Sequence, residues 1–390
     1  MDNALVRPAQ EAKIAAYIDV HRGEMLDLWK RLVSLESPTE DKAAVDGVCE
    51  ILADELARAG AAVRVEEMAA GNLLCADWNN GSDLPPVVFC GHMDTVYAKG
   101  TLEHMPLREA DGKLWGPGVL DMKGGLVIAL YALKALAHAE YKGHPLRVIF
   151  VGDEETGHAD STAAERIREL SRGAAAAMNF ETGSPDGSLV VGRKGNYTLR
   201  LDVAGVAAHA GRCPEDGKSA ILEMAHKVIA IQELNDLPRG LSVNVGVISG
   251  GTVVNAVPGN CRASIDIRFT DGALMDRTLA RICEIAEKCV VDGCSGTLTV
   301  ESVGVSMETN EKILALFAHI QQTAHDIGCE VSPAQSGGWS DANLIAAEGV
   351  PVVCGMGVQG EFNHTPHEYA LTESLYMRTK LAAISVLRLA

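Results

Sequence analysis

VVFCGHMDTVY, residues 87–97, is an apolar run that breaks at Gly91 into His92-Met93-Asp94. Val87 to Cys90, bounded by Pro85-Pro86 and by the glycine, read as a short buried strand. Strand residues i and i+2 point to one face. His92 and Asp94 therefore leave the strand end together, an imidazole beside a carboxylate. Alone, such a pair at a strand end is more often a capped, solvated turn; it becomes a site only if other strand exits carry the same chemistry.

Working outward, the same design recurs. Helical apolar periods run over 11–36 (Ile14, Tyr17, Ile18, Leu26, Trp29, Leu32, Val33) and over 43–59, ending at Gly60. AAVRVEEM, NLLCADW, PLRVIFV and AAAAMNF read as strands, and 124–139 as a strong helix. Strands alternating with helices predict an α/β domain with a mainly parallel sheet. From about residue 195 the texture changes. NYTLRLDVAG, LSVNVGVISGG, CRASIDIRFT and GTLTVESVG alternate like half-exposed strands, with helical patterns at 217–234 and 272–291. These predict a four-stranded, two-helix α+β domain inserted into the first. The α/β texture returns with helix 309–327, strand VPVVCGM and a last helix over 371–388. The expected division is 1–194 and 306–390 for the α/β part and 195–305 for the insertion.

Several other predicted strand exits carry His, Asp or Glu. GPGVLDMKGG places Asp121 in a glycine-rich loop before the 124–139 helix; VGDEETG delivers Asp153, Glu154 and Glu155; NFETG delivers Glu181; and FNHTPHE offers His364, His367 and Glu368. Ligands of parallel α/β sheets bind where strand carboxyl ends emerge. Imidazole and carboxylate donors together suit zinc or a similar divalent ion. Two histidines and three carboxylates exceed one tetrahedral ion with an open position, and fit two metals sharing a bridging carboxylate about 3.5–4 Å apart. GMGVQG, 355–360, matches a dinucleotide-binding fingerprint, but Pro366 stands where the required helix should run. It reads instead as a glycine loop that lets backbone approach the site.

Bulk composition narrows the function classes. With 390 residues, 47% of them hydrophobic, the chain can fill a sizeable core. Asp plus Glu (52) exceed Lys plus Arg (34), for a net charge of -18, which argues against nucleic acid or an anionic membrane as partner. The ten cysteines are scattered without a Cys-x-x-Cys, so they read as reduced, small apolar residues of a cytoplasmic protein. No signal peptide and no membrane span is evident.

Taken in order, GHMDTVYAKG, GPGVLDMKGG, DEETG, NFETG, AHAG, GGTVVNAVPG, IDIR and HTPHE resemble metallopeptidase family 20 from about residue 25 to the end. This is the di-zinc family of glutamate carboxypeptidase, acetylornithine and succinyl-diaminopimelate deacylases, aminoacylase and peptidase T. The chain resembles above all the bacterial glutamate carboxypeptidases. The resemblance implies an α/β/α catalytic domain with an inserted dimerisation domain, and two Zn²⁺ per chain, replaceable by Co²⁺ or Mn²⁺. It implies that His92 and Glu181 hold one zinc, Glu155 and His364 the other, and Asp121 both, with His367 the alternative to His364. Asp94 would orient the His92 ring. Glu154 would be the general base, taking a proton from the attacking water and passing it to the leaving amine. His209 in AHAG would stabilise the oxyanion, reaching the site of a partner copy in a two-fold dimer. Arg268 and Asn255 would hold the substrate's carboxylate and carbonyl, with backbone N–H of Gly337 and Gly338 beside them. The peptide bond after Asp121 is expected to be cis. Arg193 and Lys194 are candidate readers of an acidic group.

The function expected is hydrolysis of an amide bond next to a free carboxylate, in a small peptide or an N-acyl amino acid. The alternatives are an N-acyl-amino-acid deacylase and a binding module that kept the fold but lost turnover. The presence of both Glu154 and Asp121 argues against the last.

Overall fold

In the computed structural model, which describes residues 3–389, Val87–His92 is a fully buried central strand. It lies between Leu146–Val151 and Ala176–Asn179 and runs parallel to both; Val352–Cys354 is parallel to the latter. These four strands form the middle of an eight-stranded sheet. The flanks are antiparallel, a departure from the mainly parallel sheet expected. Ala62–Glu66 pairs with Leu73–Trp78, Leu73–Trp78 with Leu146–Val151, and Val352–Cys354 with Leu189–Arg193, all antiparallel. The first of these reversals is forced by chain length. Residues 67–72 are too few for a parallel crossover, which needs a dozen or more.

Helix Gly124–His138 is apolar around nearly its whole circumference and is buried accordingly. It packs against Thr372–Arg388 and Asn3–Val20. The periodic stretch 11–36 is two helices, Asn3–Val20 and Arg22–Val33, broken at His21. The buried face of the second helix is Met25, Leu28, Trp29, Leu32 and Val33, with Met25 and Leu28 buried where Leu26 was expected. A second small antiparallel sheet joins Arg108–Ala110, Lys113–Trp115, Tyr369–Leu371 and Gly360–Glu361.

By contact the chain divides into two units. One comprises residues up to Val191 with Thr309–Gln335 and from Ser340 onward; the other is Gly192–Glu308 with Ser336–Trp339. In the second unit, Ser242–Gly250, Asn260–Phe269, Gly195–Ala204 and Ser295–Gly304 form an antiparallel sheet in that order. Leu199, Leu201 and Val203 alternate inward, where they share a core with Met224 and Ile231 of helix Ala220–Gln232 and Ile282 of helix Gly272–Glu287. Arg200 and Asp202 alternate to the other face, where Asp202 pairs with Arg200 and Arg262 at 2.9 and 2.6 Å. Period-2 sorting of apolar and charged residues thus leaves one face covered by helices and the other polar. None of the ten cysteines forms a disulfide. Among the described residues, no helix is long and apolar enough to cross a membrane.

Candidate metal centre

Because Val87–His92, Leu146–Val151 and Ala176–Asn179 are parallel neighbours, their carboxyl ends open on the same edge of the sheet. His92 and Asp94 follow the first, Asp153-Glu154-Glu155 the second and Glu181 the third. Asp121 comes from an irregular turn, 119–123, that leads into helix Gly124–His138, and the Asp121–Met122 peptide bond is cis. His364 sits in a loop whose residues Phe362 and His364 both have left-handed backbones (φ 66° and 61°). Non-glycine residues seldom adopt that conformation, and such strain concentrates at functional loops.

His92 Nε2 lies 3.1 Å from Asp121 Oδ1 and 3.5 Å from Glu181 Oε1. His364 Nε2 lies 3.0 Å from Asp121 Oδ2 and 3.4 Å from Glu155 Oε1. His92-Asp121-Glu181 and Asp121-Glu155-His364 are therefore two groups, each able to hold a metal ion, and Asp121 offers one oxygen to each. His367 is exposed and belongs to neither.

Asp94 ties the exits together. Its carboxylate accepts hydrogen bonds from Thr39 Oγ1 (2.8 Å) and from the backbone N–H of Glu154 and Glu155 (3.3 and 3.2 Å). His92 Nδ1 faces the Asp94 carbonyl at 3.0 Å and its Oδ1 at 3.3 Å, leaving Nε2 directed at the ligand group. Gly357 brings the 355–360 loop against the third exit, donating to Glu181 O at 2.9 Å. A Cβ there would stand 2.5 Å from the carbonyl oxygens of Phe180 and Glu181. This is the close backbone approach expected of that loop.

One residue offered by the sequence beside His364, Glu368, takes a part that was not anticipated. Glu368 is fully buried and accepts hydrogen bonds from Leu120 N (2.8 Å), Asp121 N (3.2 Å) and the Tyr97 hydroxyl (2.5 Å). It holds the turn that presents Asp121. Its place four residues after His364 was visible, but nothing in the sequence named its partners.

The electrostatics call for a cation. Burial and the Glu181 carboxylate push Glu154 well above the usual carboxylate range. Burial also raises Glu155, even though His364 opposes the shift. Burial disfavours a charged His92, yet Asp121, Asp94 and Glu181 outweigh it and raise its pKa. Asp121 and Glu155 raise that of His364 to about 10. Glu155 Oε1 is buried without accepting a hydrogen bond. A gathering of imidazoles and carboxylates with an orphaned ligand oxygen fits a divalent metal, which supplies the positive charge otherwise carried by protons.

The remaining expected site residues belong to the second unit. Strand Ala208–His209 pairs with Ala256–Val257, setting His209 opposite Ala256, and Ala210 N donates to Asn255 O at 3.0 Å. His209 and Asn255 are thus neighbours, and both are exposed. Arg268, on Asn260–Phe269, reaches Asp266 on the same face at 3.1 Å. Gly337 and Gly338 are exposed, and Arg193 Nη1 donates to Ser336 Oγ and Gly338 O at 3.3 and 3.2 Å. Arg193 therefore braces the glycine turn.

The chain is 28% identical to carboxypeptidase G2 of Pseudomonas sp. (strain RS-16) over 370 residues, covering 90% of this chain and 87% of that one. It is 30% identical over 234 residues to acetylornithine deacetylase of Myxococcus xanthus, covering 57% and 59%. The crystal structure of aminopeptidase PepT from Bacillus cereus superposes with a TM-score of 0.82 at 25% identity, over 94% of this chain and 98% of that one. The profile of peptidase family M20/M25/M40 matches residues 88–387, and the chain belongs to this family of metal-dependent hydrolases.

Proposed function

We propose that the chain is a di-zinc hydrolase that cleaves an amide bond next to a free carboxylate, in the manner of a glutamate carboxypeptidase. The observation that carries this reading is the pair of ligand groups sharing Asp121. His92, Asp121 and Glu181 would hold one Zn²⁺, and Asp121, Glu155 and His364 the other. When bound, such ions act as Lewis acids that polarise the scissile carbonyl and acidify water.

The chain's own residues do the rest. Asp94 keeps His92 in the orientation that aims Nε2 at the ligand group. Through the N–H groups of Glu154 and Glu155 it also fixes the turn that carries the base. Glu154 takes the proton of the attacking water and delivers it to the leaving amine. Burial and the neighbouring Glu181 raise its proton affinity in the metal-free protein, and bound cations would lower it again towards the ionised form that a base requires. His209 would donate to the oxyanion, Arg268 and Asn255 would hold the substrate's carboxylate and carbonyl, and the N–H groups of Gly337 and Gly338 would meet that carboxylate. His209 would come from the second copy of a two-fold dimer.

A second reading, an N-acyl-amino-acid deacylase, keeps the same residues and changes the acyl group; the likeness to an acetylornithine deacetylase favours it. One experiment tests both. Chelated protein is assayed with dipeptides ending in glutamate and with N-acetyl amino acids, before and after Zn²⁺, Co²⁺ or Mn²⁺ is restored. Activity is expected only with metal, at about two ions per chain, and higher on the dipeptides. Preference for the acetylated amino acids selects the second reading, and full activity in the metal-free protein sinks both.

A further inference from the structure

Under the turn that carries Glu154 and Glu155 lies a cluster the proposed chemistry does not use. His158 is held between two carboxylates, Nδ1 2.8 Å from Asp153 Oδ1 and Nε2 2.7 Å from Asp341 Oδ1. The side chains are 0%, 0% and 1% exposed for His158, Asp153 and Asp341. Both ring nitrogens face an acceptor, so the doubly protonated ring satisfies both. The other oxygen of each carboxylate, Asp153 Oδ2 and Asp341 Oδ2, is buried without a hydrogen-bond partner. His158 is thus a principal compensation for two carboxylates removed from water.

The backbone is arranged to put the ring there. His158 has φ 58°, a left-handed conformation that a residue with a side chain seldom takes, directly after Gly157 at φ 65°. Its N–H donates to Asp153 O at 3.1 Å, and Gly157 N donates to Glu154 O at 2.7 Å, so the chain folds back over Glu154 and Glu155. Asp153 directly precedes Glu154. Asp341 opens helix Asp341–Ala347, which Ser340 caps and which packs on the strands Val87–His92 and Ala176–Asn179. Those strands deliver His92 and Glu181. The ring therefore bridges the turn bearing Glu154 and Glu155 and a helix seated on the strands bearing the other ligands.

We propose that His158 is a positioning residue: by clamping Asp153 to Asp341 it fixes the Glu154–Glu155 turn, and so the aim of the base and the closure of the Asp121-Glu155-His364 group. The proposal rests on the metal-centre reading above. The test is a Zn²⁺ titration of the full chain against a chromogenic chelator, with steady-state kinetics. Wild-type protein that fails to take up two ions defeats the metal-centre reading itself, before any variant is considered. Given two ions in wild type, His158→Gln is expected to bind one with unchanged affinity and the other about 10–100-fold more weakly, with kcat reduced and KM retained. A folded His158→Gln protein with wild-type affinity for both ions and wild-type kcat overturns the proposal. If that variant does not fold, Asp341→Ala decides, because it leaves His158 paired with Asp153. It should show the same selective loss, and Asp341→Asn, whose amide oxygen still accepts from Nε2, should restore it. Wild-type metal binding and kcat in Asp341→Ala, or uniform weakening of both ions, would overturn the clamp.

Discussion

At the sheet edge of the first unit, His92, Asp94, Asp121, Glu154 and Glu181 are buried and tied to one another and to backbone N–H groups. In the second unit His209, Asn255, Gly337 and Gly338 are exposed, and Arg268 is half-buried and pairs with Asp266 on the same strand face. On the proposed reading, the difference follows from what each set would hold. Ligands for a small cation have to be brought together before it arrives, and burying several carboxylates is tolerable only when other groups fix and offset them. Residues that grip a substrate, or complete a site in another copy of the chain, have to remain open until their partner comes.

The sharpest way to break this contrast is Glu154→Gln. The amide is nearly isosteric but cannot accept the proton, so turnover should fall by about 10²–10⁴-fold while metal content stays at the wild-type level. Glu155→Gln should instead weaken one metal; if the two variants behave the other way round, the roles are exchanged. His209→Ala should cost somewhat less, about 10²–10³-fold in kcat, again with normal metal binding. Mixing it with Glu154→Gln sharpens the comparison. If each copy lends its histidine to the other, a heterodimer has one site with both defects and one with neither, and should regain about half the wild-type activity. Verified heterodimers without recovery place His209 within its own chain or outside the reaction. The smallest effect belongs to Arg268→Lys. Losing one charge-assisted hydrogen bond to a carboxylate, about 1.5–3 kcal/mol, should raise KM roughly tenfold or more with kcat little changed. An equal fall in kcat would move Arg268 from grip to chemistry.

The ligand-bearing exits were legible because each joins a short apolar run to a His, Asp or Glu at the break, and parallel pairing then puts them on one edge. The alternation of Leu199, Leu201 and Val203 disclosed the second sheet in the same way. What stayed hidden has no period. Strands as short as Gly360–Glu361 and Lys113–Trp115 leave no alternation to count. The antiparallel flanks depend on loop length, and the break at His21 falls inside a stretch whose apolar period runs on across it, from Ile18 to Met25. Glu368 and His158 act through partners far away in the chain: Leu120 and Asp121 for the first, Asp341 for the second. Only the folded backbone makes those pairs neighbours.

Glu368 and His364 also set a schedule. Asp121 is presented by a turn whose N–H groups are capped by Glu368, 247 positions later, and the segment after Glu368, Tyr369–Leu371, zips onto Lys113–Trp115 beside that turn. On a ribosome the three parallel exits can emerge and pair early. The group that includes His364 has to wait until that residue, far beyond Glu181 in the chain, has been made. A nascent chain therefore passes through a stage in which its acidic sheet edge is assembled while the Asp121 turn still lacks its cap, Glu368, and the proposed second ligand group still lacks His364.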